Sequence, residues 1–352
     1  MSGLHRVEAF RGRHRVLAGR SVLAPRSVAI AVLAIVTVAF PAFEGGDTYV
    51  MSTATQTLVY GLVVVTLNLL VGFGGQISLG HAGFLAVGGY TAGLLATHAS
   101  GLPVPIEVLA AGVATAVVGF VLGLPTGRLR GHYLAIATLG FGVAVPQIAL
   151  NWSSLTQGRT GIEVPPPRIA NTVFPTPTDL YYFTLIVFVL ALLAIFSIIA
   201  SSSGRAFTAV RDSEAAAAAM GINVNATKVV LFTTSAFFAG VAGDLSAHLQ
   251  GLVSPDSFPF SLSLFFLAAV VVGGLASVWG SLAGAIVLAV IEAKTSSSSG
   301  YEPVILGAAV VVLLLLSPGG LADLPRRVSA AVGGRRSREP SPASPVRETG
   351  RS

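Results

Sequence analysis

Ten apolar stretches follow one another along the chain, at approximately 27–43, 49–71, 78–98, 104–124, 133–150, 181–200, 229–250, 261–276, 279–297 and 303–317. A helix rises 1.5 Å per residue, so about 20 apolar residues cross the hydrocarbon layer. Several stretches are shorter than that. Those near 261–297, interrupted by Gly273–Gly274, read as half-helices, a broken pair or one hairpin-like intrusion. Broken helices are tolerated at membrane depth where protein covers the freed backbone groups. The fold class expected is an all-α polytopic membrane protein, a bundle of about 8–10 transmembrane helices with one or two broken or re-entrant segments.

Composition agrees with the bilayer as solvent. Of 352 residues 53% are hydrophobic and 10% charged, against roughly 45–50% and about 25% in a soluble domain. The 40 glycines suit membrane helices, whose backbones approach closely through small residues. The net charge of +6 does not point to nucleic acid, because the cations sit at the ends and between apolar blocks, not on one basic face.

Their placement predicts orientation. With the amino terminus inside, all of the 21 cations fall on the inside except Arg159, Arg168 and Lys294, as the positive-inside rule requires. Both termini are therefore expected to be cytoplasmic. The predicted organisation is a basic leader at 1–26, a transmembrane domain at 27–320 and a basic, largely disordered tail at 321–352. An external loop at 151–180 and a cytoplasmic loop at 201–228 interrupt the domain. The first apolar run reads as a span and not a cleaved signal, since the "PAFEGG" after it lacks a small-x-small cleavage site.

Two stretches carry unusual chemistry for a membrane chain. Residues 67–96 read "LNLLVGFGGQISLGHAGFLAVGGYTAGLLA". Glycines loosen the backbone there, and Asn68, Gln76, Ser78 and His81 place polar groups inside apolar sequence. Polar side chains at membrane depth are costly unless they face the bundle or a watery path. They either satisfy unwound backbone or line a path. The loop "SSSGRAFTAVRDSEAAAAAMGINVNATK" predicts a short helix, with Asp212 or Ser213 as its cap, five alanines in its body and Gly221 at its end. Phe207 and Val210 offer apolar contacts beside Arg205 and Arg211. Such a helix either docks in a groove on another protein or is a solvated connector.

Both stretches resemble the permease family of branched-chain amino acid ABC importers, in particular the larger, M-type membrane subunit of leucine/isoleucine/valine uptake systems. "GFGGQISLGHAG", "LRGHYLAIATLGFG", "LTQGRTGI", "GLVSPDSFPF", "GGLASVWGSLAG" and "LSPGGL" extend the resemblance over about 60–321. The resemblance implies that 201–228 is the loop that couples to the ATPase, through Arg205, Arg211, Asp212, Glu214 and Gly221. Glu214 stands one position early against the loose Glu-Ala-Ala-x-x-x-Gly pattern. The turn is characteristic of the family, and Asn68, Gln76, Ser78 and His81 stand as candidates beside the transport path because polar groups at membrane depth need partners or water. The implied partners are a second related permease subunit, two cytosolic ATP-binding subunits, an external substrate-binding protein and membrane lipid, but no nucleic acid. The expected place is the cell membrane and the expected cargo branched-chain or related amino acids. Urea or another small polar solute, and an ion-coupled secondary transporter, are the alternatives.

The remaining residues of note carry smaller expectations. Gly89, Gly93, Gly119, Gly123, Gly280 and Gly284 stand in Gly-x-x-x-Gly pairs and are expected at helix crossings. Asp244 and His248, four apart, are expected to form a local ion pair near the outer, hydrated end of their span. The related pattern has a small apolar residue in place of Asp244. No catalytic residue, cofactor or metal site is expected. The chain has no cysteine, no histidine pair at zinc-helix spacing, and a phosphate-binding loop cannot be built on Lys228 or Lys294.

Overall fold

The computed structural model describes residues 47–99, 102–127, 132–169, 172–173 and 176–295, with isolated positions at 37, 39–41 and 307–308. The leader, the tail and almost all of the predicted first and last spans lie outside the described residues. The chain divides into two units, 1–47 and 48–352, and every element below belongs to the second.

Helix α1 (Thr48–Asn68) runs into a π-helical turn, Leu69–Phe73. It is followed by α2 (His81–His98), α3 (Val104–Gly123), α4 (His132–Asn151) and α5 (Pro177–Ala200). Two short helices, α6 (Ser202–Asp212) and α7 (Glu214–Ala219), precede α8 (Val224–Gln250), α9 (Phe260–Gly273) and α10 (Val278–Thr295). Among the described residues six helices are long and apolar enough to cross a membrane. The chain is an all-α polytopic membrane protein.

The solvent logic of a soluble fold is inverted. On α3, Ile106, Leu109, Val113, Val117 and Phe120 recur every three or four residues and are exposed, while Val108, Ala111, Thr115 and Gly119 on the other face are buried. A stripe of large apolar side chains turned outward belongs against lipid or another membrane subunit. The inward faces use small residues so that backbones touch. A Cβ on Gly88 would strike the Gly240 carbonyl, one on Gly243 the Leu85 carbonyl, and one on Gly119 the Ala236 methyl. Gly123 faces Phe232 and Val229, also on α8. Gly89 meets both Phe258 and the Gly243 carbonyl of α8, so it serves a helix crossing as well as a loop contact, while Gly93 meets Ile162. Helix α8 is thus the mast on which α2 and α3 close.

Helices α9 and α10 form an antiparallel hairpin. Gly273 lies against the Gly280 carbonyl and Gly284 against that of Ala269, so the crossing repeats one helical turn further along each partner. The broken pair expected near 261–297 is therefore two helices joined by a turn at 274–277.

The two ends of the bundle differ. At one, a turn of helix at Ser153–Thr156 leads into two small antiparallel ribbons. Strand β1 (Ile162–Glu163) pairs with β4 (Leu252–Val253), and β2 (Arg168–Ile169) with β3 (Thr172–Val173). Three consecutive prolines at 165–167 cannot donate backbone hydrogen bonds, which keeps helix out of this stretch. Helix α5 starts at Pro177, earlier than expected, because Thr176 caps it by accepting from the Asp179 N–H at 3.2 Å and proline suits a first helical position. At the opposite ends of α5 and α8 lie α6 and α7. The loop expected at 201–228 narrows to 201–223, since Asn223 caps α8 through the Ala226 N–H at 3.0 Å.

Candidate functional site

Between the π-helical turn and α2 the chain is not helical, although it lies inside the bundle. π-turns of this kind recur at functional sites. Its backbone groups are met from three sides. Gln76 N–H donates back to the Leu70 carbonyl at 3.1 Å, Leu79 N–H to Thr138 Oγ1 of α4 at 3.0 Å, and Ala82 N–H to Ser263 Oγ of α9 at 2.9 Å. Without such partners each group would cost several kcal/mol in a water-free layer, by a rough estimate. Thr138 and Ser263 escaped sequence reading. Their only signal was a hydroxyl within a mainly apolar run.

His81 is fully buried and its hydrogen bonds are assigned by counting donors. Ser235 Oγ donates to the Thr66 carbonyl at 2.8 Å, so the 3.0 Å contact between Ser235 and His81 Nε2 requires the ring N–H as donor. Nδ1 is then the acceptor facing Ser78 Oγ at 3.3 Å. A neutral imidazole completes a chain from Ser78 to Thr66, and edge-on contact with Phe84 locks the ring.

Asn68, one helical turn before the Gly72 bend, has a different duty. Its Nδ2 donates to Ser281 Oγ at 2.5 Å and to the Ser277 carbonyl at 3.0 Å, and its Oδ1 accepts from Ala276 N–H at 3.0 Å. It pins the α9–α10 turn, where Ala276 sits at φ +57°. Gln76 stands apart from both groups. Its amide is buried, yet neither Nε2 nor Oε1 has a hydrogen-bond partner among the described residues. It lines a cleft of about 310 Å³ with Gly75, Ile77, Leu134, Arg211, Glu214 and Lys228. The four polar residues that sequence grouped together thus divide into two scaffolds and one amide with spare capacity.

The same cleft joins the turn to α6 and α7. One helix was expected there and two form. Ser201 caps α6, and Ser213, not Asp212, caps α7 by accepting from Ala216 N–H at 3.2 Å. Gly221 N–H reaches the Ala218 carbonyl and Ile222 N–H that of Ala217, both at 3.0 Å, the paired bonds of a Schellman ending. Gly221 at φ +84° makes that ending possible. Phe207 and Val210 are buried in the chain's own core, so they are not offered outward as the sequence suggested. What α7 presents is a smooth surface of Ala215, Ala216, Ala218 and Ala219 ending in Met220, which is 83% exposed.

The charged residues of this region are spoken for. Arg211 donates from Nε and Nη2 to Asp212 Oδ1 at 2.9 and 2.8 Å, and from Nη1 to the Gly72 carbonyl at 2.9 Å. Lys228, almost wholly buried, holds Glu214 at 2.7 Å. Arg205 is exposed and reaches the Ala200 carbonyl at 3.3 Å. The Arg211 bond ties the short helices directly to the π-helical turn.

At the ribbon end, Asp244 is not hydrated as expected but completely buried. His248 Nε2 lies 3.8 Å from Asp244 Oδ2 and closer, 3.4 Å, to Glu107 Oε2 of α3. Sequence reading missed the third member because 137 residues separate Glu107 from Asp244.

The comparisons with known proteins can be set against this geometry. Residues 49–317 match the family model described as the branched-chain amino acid transport system / permease component. The high-affinity branched-chain amino acid transport system permease protein LivM of Escherichia coli (strain K12) is 37% identical over 323 residues, covering 85% of this chain and 75% of the relative. The permease protein LivH of the same strain is 26% identical over 297 residues, covering 80% and 92%. The autoinducer 2 import system permease protein LsrC of Enterobacter sp. (strain 638) is 30% identical over 220 residues, 62% and 60%. No solved structure matches. The glycine turn at 67–96, the alanine-bodied helix before α8 and the α9–α10 hairpin all lie within the matched residues, and the chain belongs to the branched-chain amino acid transport system permease family.

Proposed function

We propose that this chain is the M-type permease subunit of an ABC importer for branched-chain or related amino acids. It forms the translocation path with a second related permease. Two cytosolic ATP-binding subunits hydrolyse ATP, and an external substrate-binding protein delivers cargo. The α6–α7 end faces the cytoplasm, carrying Arg205, Arg211 and Lys228, and the ribbon end faces outward. The relatives' names support the cargo class, and the autoinducer name of one of them makes cargo the point to test first.

The observation that carries the reading is the Arg211–Gly72 hydrogen bond. An exposed helix of small side chains fits a groove on a partner. Arg211 makes its displacement felt at the π-helical turn that leads into the unwound stretch before α2. A closing ATPase that pushes on α7 therefore biases the Gly72–Gly80 segment between two arrangements, which is what coupling requires. Gln76, with unused hydrogen-bonding capacity beside that segment, is the residue placed to meet cargo or partner, while Asn68, Ser78 and His81 hold the scaffold.

Uptake into cells tests this. Arg211→Glu removes the link and Gly221→Val forces a β-branched residue into a left-handed conformation. Substrate-dependent uptake is expected to fall severalfold with normal membrane insertion. Unchanged uptake and unchanged ATPase association in the double variant would refute it.

A further inference from the structure

Glu107, Asp244 and His248 form a cluster that the transport reading leaves unused. Their ligand atoms, one from each residue, lie within 4.8 Å of one another, and all three residues are buried. Asp244 is fully buried with neither carboxylate oxygen hydrogen-bonded, and His248 Nε2 also lacks a hydrogen bond among the described residues. Leaving such groups unpaired in a low-dielectric setting is expensive. The described residues supply no counter-charge sufficient for them. With both carboxyls ionised, a neutral His248 leaves two carboxylates facing one another, and a protonated one still leaves a net negative charge. Arg168 lines the adjoining pocket but forms no ion pair with the cluster.

The imidazole is oriented as a ligand. His248 Nδ1 lies 3.1 Å from the Pro165 carbonyl, which can only accept, so Nδ1 carries an N–H and Nε2 is the nitrogen that faces the two carboxylates. Metal-bound histidines are held in this way by a carbonyl on the far ring nitrogen. Zinc bonds of about 2.0–2.1 Å at tetrahedral angles separate neighbouring ligand atoms by about 3.4 Å. The Glu107–His248 distance of 3.4 Å meets that, and the Asp244–His248 distance of 3.8 Å is near it. A pocket of about 90 Å³, lined by Glu107, His248, Pro165 and Pro166, adjoins the cluster and leaves room for water at a fourth position.

We propose that Glu107, Asp244 and His248 bind a divalent cation of the zinc class at the ribbon end of the bundle. One nitrogen and two carboxylate ligands in so small a space suit zinc. Calcium takes six to eight oxygens and magnesium a mostly hydrated octahedron. The ion neutralises the buried acids and bridges α3 to α8. Through the Pro165 carbonyl it also fixes the proline-rich segment against them. Sequence reading expected no metal, because the ligands come from two helices far apart in the chain.

The test uses the full-length chain, purified in detergent through a histidine-free tag, stripped with chelator and dialysed against Zn2+ alone. Metal content by mass spectrometry is expected to be about one zinc per chain, with a higher melting temperature than the stripped protein. Asp244→Asn and His248→Gln are each expected to weaken binding at least tenfold, a loss that even outer-shell changes produce. Glu107→Gln serves as a further variant should one of these fail to give a monodisperse peak, and His98→Gln is expected to change nothing. Folded parental chain that retains no zinc overturns the proposal. So does zinc retained equally by all three ligand variants, or equal affinity for Mg2+ and Ca2+. These results are independent of whether α7 couples to an ATPase.

Discussion

Replacing Asn68 with alanine removes the clasp on the α9–α10 turn without altering any surface. The cost can be worked from its partners. Interhelical side-chain hydrogen bonds in membrane bundles average about 0.6 kcal/mol and reach about 1.7. Asn68 makes three at 3.0 Å or less. The Ser277 carbonyl keeps a partner after the change, because Ser281 Oγ also donates to it at 3.0 Å. The Ala276 N–H does not, and an orphaned buried donor costs about 1–3 kcal/mol. Ala276 is left-handed at φ +57° in the parent, a strain of about 1–2 kcal/mol that Asn68 holds in place and that is released when the turn opens, so it adds nothing to the difference. The sum expected for Asn68→Ala is about 2–4 kcal/mol of local stability. At 1.4 kcal/mol per tenfold, residues 274–281 should open roughly 30- to 1000-fold more often. Hydrogen exchange of that peptide, read by mass spectrometry on the chain in detergent, measures it. A double-mutant cycle with Ser281→Ala should show a coupling of about 0.5–2 kcal/mol. Exchange within threefold of the parent would refute the reasoning.

Other substitutions separate scaffold from working parts. Gly88→Ala and Gly240→Ala each drive a methyl into backbone or Thr115 and should cost about 1–3 kcal/mol or more, seen as loss of monodisperse protein on size exclusion. His81→Phe leaves Ser78 and Ser235 short of a partner and should lower the melting temperature, for a loss of about 1–3 kcal/mol. Gln76→Leu breaks no hydrogen bond, so it should fold normally yet slow uptake; equal uptake would make Gln76 filler. Because the chain has no cysteine, Ser154→Cys should react with an impermeant thiol reagent on intact cells and Ser337→Cys should not. Equal labelling would overturn the orientation.

The helices were legible because their signal is local. A run of apolar residues set each described span to within a few residues, and the alanines with Gly221 gave α7 and its end. Its neighbour α6 was not read, since Phe207 and Val210 look available in sequence and prove buried only once the π-helical turn and α8 pack beside their helix. The polar turn at 67–96 was found as a cluster, but the separate duties of Asn68, Gln76 and His81 were not. Those of His81 and Asn68 depend on Ser235 and Ser281, hydroxyls that sequence cannot assign to a distant partner. Glu107 with His248 fails for the same reason. What needed long-range pairing was invisible; what needed spacing and composition was not.

The central claim, that α7 is the contact through which an ATPase drives this permease, is tested most directly by crosslinking from its tip. Met220→Cys in the otherwise cysteine-free chain, treated with a short bifunctional thiol reagent in native membranes, should capture a nucleotide-binding subunit. Ser154→Cys, exposed at the other end of the bundle, should not. Capture of an ATP-binding subunit at 220 alone is the expected result. Its capture at 154, or its absence at 220 from membranes that transport normally, would contradict the account.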